Sequence, residues 1–263
     1  MSNSVALAAT AAPVCGPGTV VVIGVTSAIA RALAGEFAKH GHDLIVASRD
    51  IEETNAIATD LSVRHNVKVI SKYFEAEIFG THATFVDECV RDANASLDGV
   101  VIGFGFMDEQ PVAEAKFEVA RRTIDVNVTA TLSVCEKFAT HFETNRRGFI
   151  VGVSSVAGDR GRQTNYIYGA SKAAMSTYLQ GLRNRLSKSN VHVLTVKPGF
   201  VDTKMTWGLP LPGPLVATPE AAARAIYNAL EAKKNTAYVP WFWRYIMLII
   251  CAIPEWQFKK MKL

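Results

Sequence analysis

The stretch T19-V-V-V-I-G-V-T-S-A-I-A-R-A-L-A-G-E-F-A-K-H-G41 decides the fold. Its first part, TVVVIGV (19–25), is an unbroken apolar run, as expected of a strand buried on both faces. SAIARALAGEFAKHG (27–41) follows, with Ile29, Leu33 and Phe37 on one stripe, which predicts an amphipathic helix ending at Gly41. A strand that runs straight into a helix aims the unpaired N–H groups of the helix start beyond the strand end, where an anion can sit.

The same alternation continues along the chain. Further strands are predicted at DLIVASR (43–49), VKVISKYF (67–74), DGVVIGFG (98–105), GFIVGVSS (148–155) and VHVLTVKPG (191–199). Helices are predicted at 51–65, 80–95, 116–143, 165–187 and 219–233. Apolar strands alternating with helices argue for a parallel sheet covered on both faces, and short right-handed crossovers then give an α/β, Rossmann-type doubly wound topology. No composition shift marks a domain boundary. The chain divides into a loose extension (1–18), one catalytic domain (19–235) and an amphipathic C-terminal segment (236–263). The Pro- and Gly-rich segment 203–219 is placed where a lid over a ligand would lie.

Composition narrows the class. A net charge of +4, scattered along 263 residues, does not fit a nucleic-acid binder. The six histidines show no metal-ligand spacing, and Cys15, Cys89, Cys135 and Cys251 form no CxxC, so no metal is expected and the cysteines read as reduced intracellular thiols. The N-terminus has no basic region of the kind that opens a cleaved signal, and a cytoplasmic location is expected.

The first turn, G24-V-T-S-A-I-A30, suits a pyrophosphate. Gly24 permits the tight turn, Thr26 and Ser27 add hydroxyl donors, and Ile29 is counted with them among the cofactor-binding positions. Ala28 places a methyl near the phosphates, whereas Ala30 sits where helix packs on strand. The second strand ends in Ser48-Arg49-Asp50. An arginine at that place accommodates a 2′-phosphate, so NADP is favoured, with NAD as the alternative.

Farther on, Tyr168 and Lys172 stand one helical turn apart on a shared face, a relation Tyr166 does not have. The nucleotide turn, D125-V-N-V, S154-S155-V-A-G, Y168-G-A-S-K172 and K197-P-G-F-V-D-T203, in this order, resemble the short-chain dehydrogenase/reductase family over about residues 19 to 235. Within it, S155-V-A-G-D-R-G-R-Q-T-N-Y-I-Y168, K197-P-G-F-V-D-T-K-M-T206 and Y238-V-P-W-F-W-R-Y-I-M247 are similar to a bacterial subgroup containing decaprenylphosphoryl-2-keto-pentose reductases.

The resemblance implies hydride transfer between a nicotinamide and a carbonyl or alcohol carbon, and pairing as a homodimer or homotetramer through the helices around 116–143 and 165–187. Tyr168 would give or take the proton. Lys172 would favour the phenolate and hold the nicotinamide ribose. Ser155, thirteen residues before Tyr168, would hold the reacting oxygen in preference to Ser154, and Asn127 would order a water relay to Lys172. Pro198, Gly199, Val201 and Thr203 would border the nicotinamide. Tyr166 reads as a pocket wall or a packing residue. Two positions depart from the family pattern. Glu75-Ala76 stands where an Asp near the adenine is usual, and I102-G-F-G105 replaces Asn-Asn-Ala-Gly, so that Gly105 keeps the close approach while the asparagine bonds are lost.

The tail, YVPWFWRYIMLIICAIPEWQFKKMKL, is apolar from Val239 to Ile253, too short to span a bilayer, and carries Trp241, Trp243, Trp256, Lys259, Lys260 and Lys262. It reads as a membrane-surface anchor near a lipid-linked substrate, or else as a segment packed on the core or on a second subunit. The leading reading is an NAD(P)-dependent ketone reductase acting on a keto-sugar carried on a polyprenyl phosphate. A reductase of a soluble or acyl-type carbonyl and a non-catalytic cofactor-sensing or scaffold protein are its competitors; the intact Ser155, Tyr168 and Lys172 argue against the last.

Overall fold

The computed structural model describes residues 18–203 and 215–261. Seven strands form one parallel sheet in the order β3-β2-β1-β4-β5-β6-β7. They are β1 (Thr19–Ile23), β2 (Asp43–Ser48), β3 (Val69–Tyr73), β4 (Leu97–Ile102), β5 (Gly148–Val153), β6 (Val191–Pro198) and β7 (Thr236–Val239). The strand order reverses between β1 and β4, which leaves a crevice at the carboxyl ends of those strands.

Side-chain alternation explains why the central strands are apolar throughout, while edge strands β3 and β7 are partly exposed. Val20 and Val22 face one core, with α1 (Ala28–Lys39), α2 (Ile51–His65) and α8 (Pro219–Glu231); Val21 and Ile23 face another, with α3 (His82–Asp92), α6 (Thr131–Asn145) and α7 (Tyr166–Leu186). Phe37 of α1 stacks on Phe149 of β5 at 5.7 Å and meets Tyr227 of α8 edge-on at 5.5 Å, so one aromatic cluster ties three elements together. Local chemistry sets the ends. Asp50 caps α2 by accepting the Glu53 N–H at 2.9 Å, and Thr218 caps α8 by accepting from Ala221. Gly41 closes α1 with φ +84°.

The structure departs from the sequence reading at two places and adds detail in the tail. The domain boundary expected at 235 falls just before β7, which pairs Thr236–Val239 with Thr195–Pro198 of β6, so the sheet runs on into the tail. The helix expected over 116–143 is interrupted. After α4 (Gln110–Ala115), Lys116 is extended, α5 (Phe117–Ile124) follows, and a π-helical turn, Asp125–Ala130, separates α5 from α6. The tail beyond β7 folds as two helices, α9 (Trp243–Ala252) and α10 (Glu255–Phe258), with Trp243 and Met247 buried. The extension apart from Gly18, the greater part of the expected lid (204–214) and Lys262 lie outside the described residues.

Candidate active site

A cavity of about 580 Å³ opens at the carboxyl ends of β1, β2 and β4, at the crevice where the strand order reverses. The turn after β1 forms its floor. Gly24 holds φ +83°, and a Cβ there would lie 2.5 Å from the Phe104 nitrogen, so glycine is required by conformation and by space. Thr26, Ser27 and Ala28 line the cavity. Ser27 is the N-cap residue of α1, yet its side chain makes no capping bond, which leaves the hydroxyl beside the free helix N–H groups. Ile29 is buried in the core beneath the turn, so only its backbone can serve a phosphate. A Cβ on Gly103 would lie 2.6 Å from the Ala30 methyl, which shows how closely α1 and the β4 loop approach.

Arg49 lines one end of the cavity together with Arg31 and Glu53. Asp50 is committed to capping α2 and does not line it. Glu75 and Ala76 line the same cavity, beside Phe74, Phe104 and Phe106. Phe74 packs on Phe104 at 5.4 Å, and Arg122 lies 4.6 Å over the Phe106 ring while paired with Glu77 at 2.8 Å. Arg31, Phe74, Phe104, Phe106, Met107 and Arg122 were not singled out from sequence. Arg31, one turn after Ser27, shares its face and carried a usable signal; the aromatic residues read only as strand or loop.

Gly105 joins this cavity to Asn127 and Lys172. A Cβ there would stand 3.3 Å from Asn127 Oδ1 and 3.4 Å from Lys172 Nζ. Asn127 sits in the π-helical turn, a distortion common at functional sites. Its Oδ1 accepts the Phe106 N–H at 2.7 Å, and its Nδ2 donates to the Phe106 carbonyl at 2.8 Å and to Ser171 Oγ at 2.9 Å. The β4 loop, which lacks asparagines of its own, is thus held from the π turn.

Tyr168 and Lys172 stand on the first two turns of α7. Burial raises the Tyr168 phenol to about 12, against which a hydrogen bond with Ser155 favours the phenolate. Burial lowers the Lys172 ammonium to about 8. Lys172 Nζ lies 5.7 Å from the Tyr168 ring centre and donates to the Val153 carbonyl at 2.9 Å. Desolvation dominates at Tyr168 and the group that opposes it in the resting site is Ser155, while the Lys172 ammonium stands near enough to act on a phenolate once one forms. Ser154 is occupied elsewhere, donating to the Lys172 carbonyl at 2.9 Å and meeting Ser176 Oγ at 2.8 Å. Tyr166 is 45 % exposed and its hydroxyl meets Gln110 and Glu114 of α4.

Of the four positions expected along the nicotinamide, Thr203 lines the cavity. Pro198 ends β6, and Val201 is buried and bridges to Ala217. Gly199 donates its N–H to Val239 and is covered by the Trp243 indole, with which any Cβ would collide. The tail thus packs against the segment next to the site. Among the described residues no group of side chains is arranged to hold a metal ion. The arrangement offers a turn whose free helix N–H groups suit an anion, a cavity of about 580 Å³ and, beside it, a buried phenol bonded to a serine hydroxyl.

Residues 18–211 match the family model described as short chain dehydrogenase. An uncharacterized oxidoreductase of Mycobacterium tuberculosis is 30 % identical over 246 residues, which cover 94 % of this chain and 98 % of that protein. An uncharacterized oxidoreductase of Staphylococcus epidermidis is 30 % identical over 191 residues, 72 % of this chain and 80 % of the relative. Among solved structures, a short-chain dehydrogenase from Sphingobium yanoikuyae in complex with NADPH superposes with a TM-score of 0.78 at 24 % identity, covering 90 % of this chain and 97 % of the other. L-Sorbose reductase from Gluconobacter frateurii, complexed with NADPH and L-sorbose, gives 0.75 at 20 % identity, covering 84 % and 94 %.

Proposed function

The chain belongs to the short-chain dehydrogenase family and is an NAD(P)-dependent oxidoreductase, and from that premise we propose that it uses NADPH to reduce a ketone, a keto-sugar carried on a polyprenyl phosphate. One observation carries the reductase reading. The buried Tyr168 phenol, bonded to Ser155 and backed by Lys172, adjoins through Gly105 a cavity of about 580 Å³. A phenol raised to about 12 is protonated at neutral pH, the state needed to donate to the oxygen that gains charge as hydride arrives. Ser155 fixes that oxygen and stabilises the phenolate left behind. Asn127 holds the loop on which Gly105 sits.

NADPH supplies the hydride when bound. The turn from Gly24 to Ser27 would hold its pyrophosphate, and Arg49 with Arg31 would meet the 2′-phosphate, while Asp50 is withdrawn by its capping bond. The NADPH held by the similar Sphingobium and Gluconobacter enzymes supports this choice. The substrate class rests on the three segments similar to the decaprenylphosphoryl-2-keto-pentose reductases and on the apolar tail. A lipid-borne ketone would place the enzyme at the cytoplasmic face of a membrane, with homo-oligomer pairing through α6 and α7. Among the described residues no helix is long and apolar enough to cross a membrane, so contact would be peripheral.

Cofactor titration tests the first half of this reading. The protein is expected to bind NADPH roughly 10- to 100-fold more tightly than NADH, the worth of a charge-assisted phosphate contact. Arg49→Gln should remove most of that preference and leave NADH affinity unchanged. Equal affinities for the two nucleotides in the unaltered protein would reject NADPH as the preferred cofactor.

A further inference from the structure

A second cavity, of about 520 Å³, lies away from the nucleotide crevice, between α9 and the loop that follows Ser155. Asp159, Tyr238 and Cys251 form its polar floor; Tyr245, Met247 and Leu248 form its apolar wall, and Arg244 stands at its edge. The floor is internally satisfied. Lys197 Nζ pairs with Asp159, Tyr238 donates to the same carboxylate at 2.9 Å, and the Cys251 thiol donates to the Asp159 carbonyl at 3.5 Å. The wall is fixed in place by Arg160, which donates to the Ile250 carbonyl at 2.5 Å, the Ile253 carbonyl at 2.7 Å and Glu255 at 3.0 Å, and lies over the Phe258 ring.

Arg244 differs from these neighbours. It forms no ion pair among the described residues, although it lies close enough to Tyr238 to favour the phenolate there. Two positive charges, Lys259 and Lys260, stand exposed just beyond α10. The carboxylates nearby, Asp159 and Glu255, are already paired with Lys197 and Arg160. What remains unmatched is positive.

Apart from Arg244 in its first turn, helix α9 is apolar on both its buried and its open sides. Trp243 and Met247 are buried against Phe200 and Tyr238, while Leu248 is 67 % and Ile249 66 % exposed on the other side. Trp241, Tyr245 and Trp256 extend that open face. A contiguous apolar face left open beside a buried one marks a surface that is covered in the working state. A second copy of this chain is a poor cover, because it would bring a second set of Arg244, Lys259 and Lys260 to the interface, while Asp159 and Glu255 are already paired within each chain. An anionic amphiphile matches both the charge and the apolar wall.

We propose that this cavity and the outer face of α9 bind an anionic lipid, whose phosphate meets Arg244 and whose hydrocarbon chain lies on Tyr245 and Leu248. The site goes beyond the reductase reading and does not depend on it, since none of its residues lines the nucleotide cavity. It would give a membrane-borne ketone a second point of attachment close to Ser155.

Binding of dodecyl phosphate below its micelle concentration, measured by calorimetry on the full chain, tests the site. Saturable binding is expected, weakened about tenfold or more by Arg244→Gln, as for loss of a charge-assisted bond, and comparably by Leu248→Asp. The full chain should also sediment with phosphatidylglycerol vesicles and not with pure phosphatidylcholine. Both variants should keep wild-type NADPH affinity, which separates lost lipid binding from lost fold. Undiminished binding by both variants, or inorganic phosphate binding as tightly as dodecyl phosphate, would overturn the proposal. So would an oligomer that Leu248→Asp dissociates while lipid binding persists, since the face would then belong to a second copy. Failure here leaves the reductase reading intact, because that reading is decided by Tyr168.

Discussion

Tyr168→Phe should lower turnover of any ketone the enzyme accepts by about 10²- to 10⁴-fold, the usual worth of a positioned general acid, while NADPH affinity survives. The substitution removes one oxygen from a ring whose place on α7 is unchanged. Ser155 keeps its bond to the Ala157 N–H at 3.1 Å, and Lys172 keeps its bond to Val153. Lost turnover with retained NADPH binding therefore reports the proton step. The pH dependence has a definite sign. With Tyr168 raised to about 12, the phenol stays protonated across the neutral range. Lys172, lowered to about 8, is an ammonium below that pH and neutral above it. Its positive charge, 5.7 Å from the ring centre, helps to stabilise the phenolate formed on donation. The reduction rate constant kcat/KM should thus fall as pH rises through about 8. A flat profile on both sides of that value would remove the Lys172 charge from the mechanism, and full activity in Tyr168→Phe would remove Tyr168.

Gly24→Ala should destabilise the domain by roughly 2–5 kcal/mol, combining the strain of a positive φ with overpacking against backbone. The added methyl would meet the Phe104 nitrogen at 2.5 Å and its Cα at 2.7 Å, and neither can swing aside as a side chain could. NADPH affinity should fall as well, since the turn that presents Thr26 and Ser27 must shift. Gly41→Ala supplies the comparison. Gly41 has nearly the same φ, +84°, but nothing within 4 Å of its Cβ position, so it carries the strain without the clash. Thermal unfolding of the two variants separates the effects. Equal losses of stability would show that the close approach of the β1 turn to the β4 loop contributes nothing.

The features legible in the sequence were those written in local pattern. The central strands stood out because a parallel sheet covered on both faces demands apolar residues along the strand, as in Val20 to Ile23, while the half-buried edge strand β3 mixes apolar with polar residues. Strand β7 did not, because its four residues run straight into an apolar tail and present no boundary. The π turn at Asn127 was hidden for a different reason. It is stabilised by bonds to Phe106, twenty-one residues away, and helical periodicity carries no trace of such contacts. The turn after β1, Arg49 and the Ser155–Tyr168–Lys172 set stood out in the sequence because residue type and spacing mark them, and the fold brings Arg49 to the cavity beside that turn and Ser155 to the Tyr168 hydroxyl. The Phe104 and Phe106 walls, the Arg160 clasp on α9 and the Trp243 cover on Gly199 arise from tertiary packing alone. The relation of Tyr168 to Lys172 shows the limit most clearly: spacing placed the pair on one face, but burial set their proton affinities.

NADPH oxidation with detergent-dispersed polyprenyl-phosphoryl 2-keto-pentose, run beside Tyr168→Phe protein, is the measurement to make. Oxidation by the unaltered protein is expected, with the matching alcohol formed and only background in the variant. No oxidation by protein that still binds NADPH tightly would contradict the keto-sugar assignment and turn the search to soluble or acyl-type carbonyls.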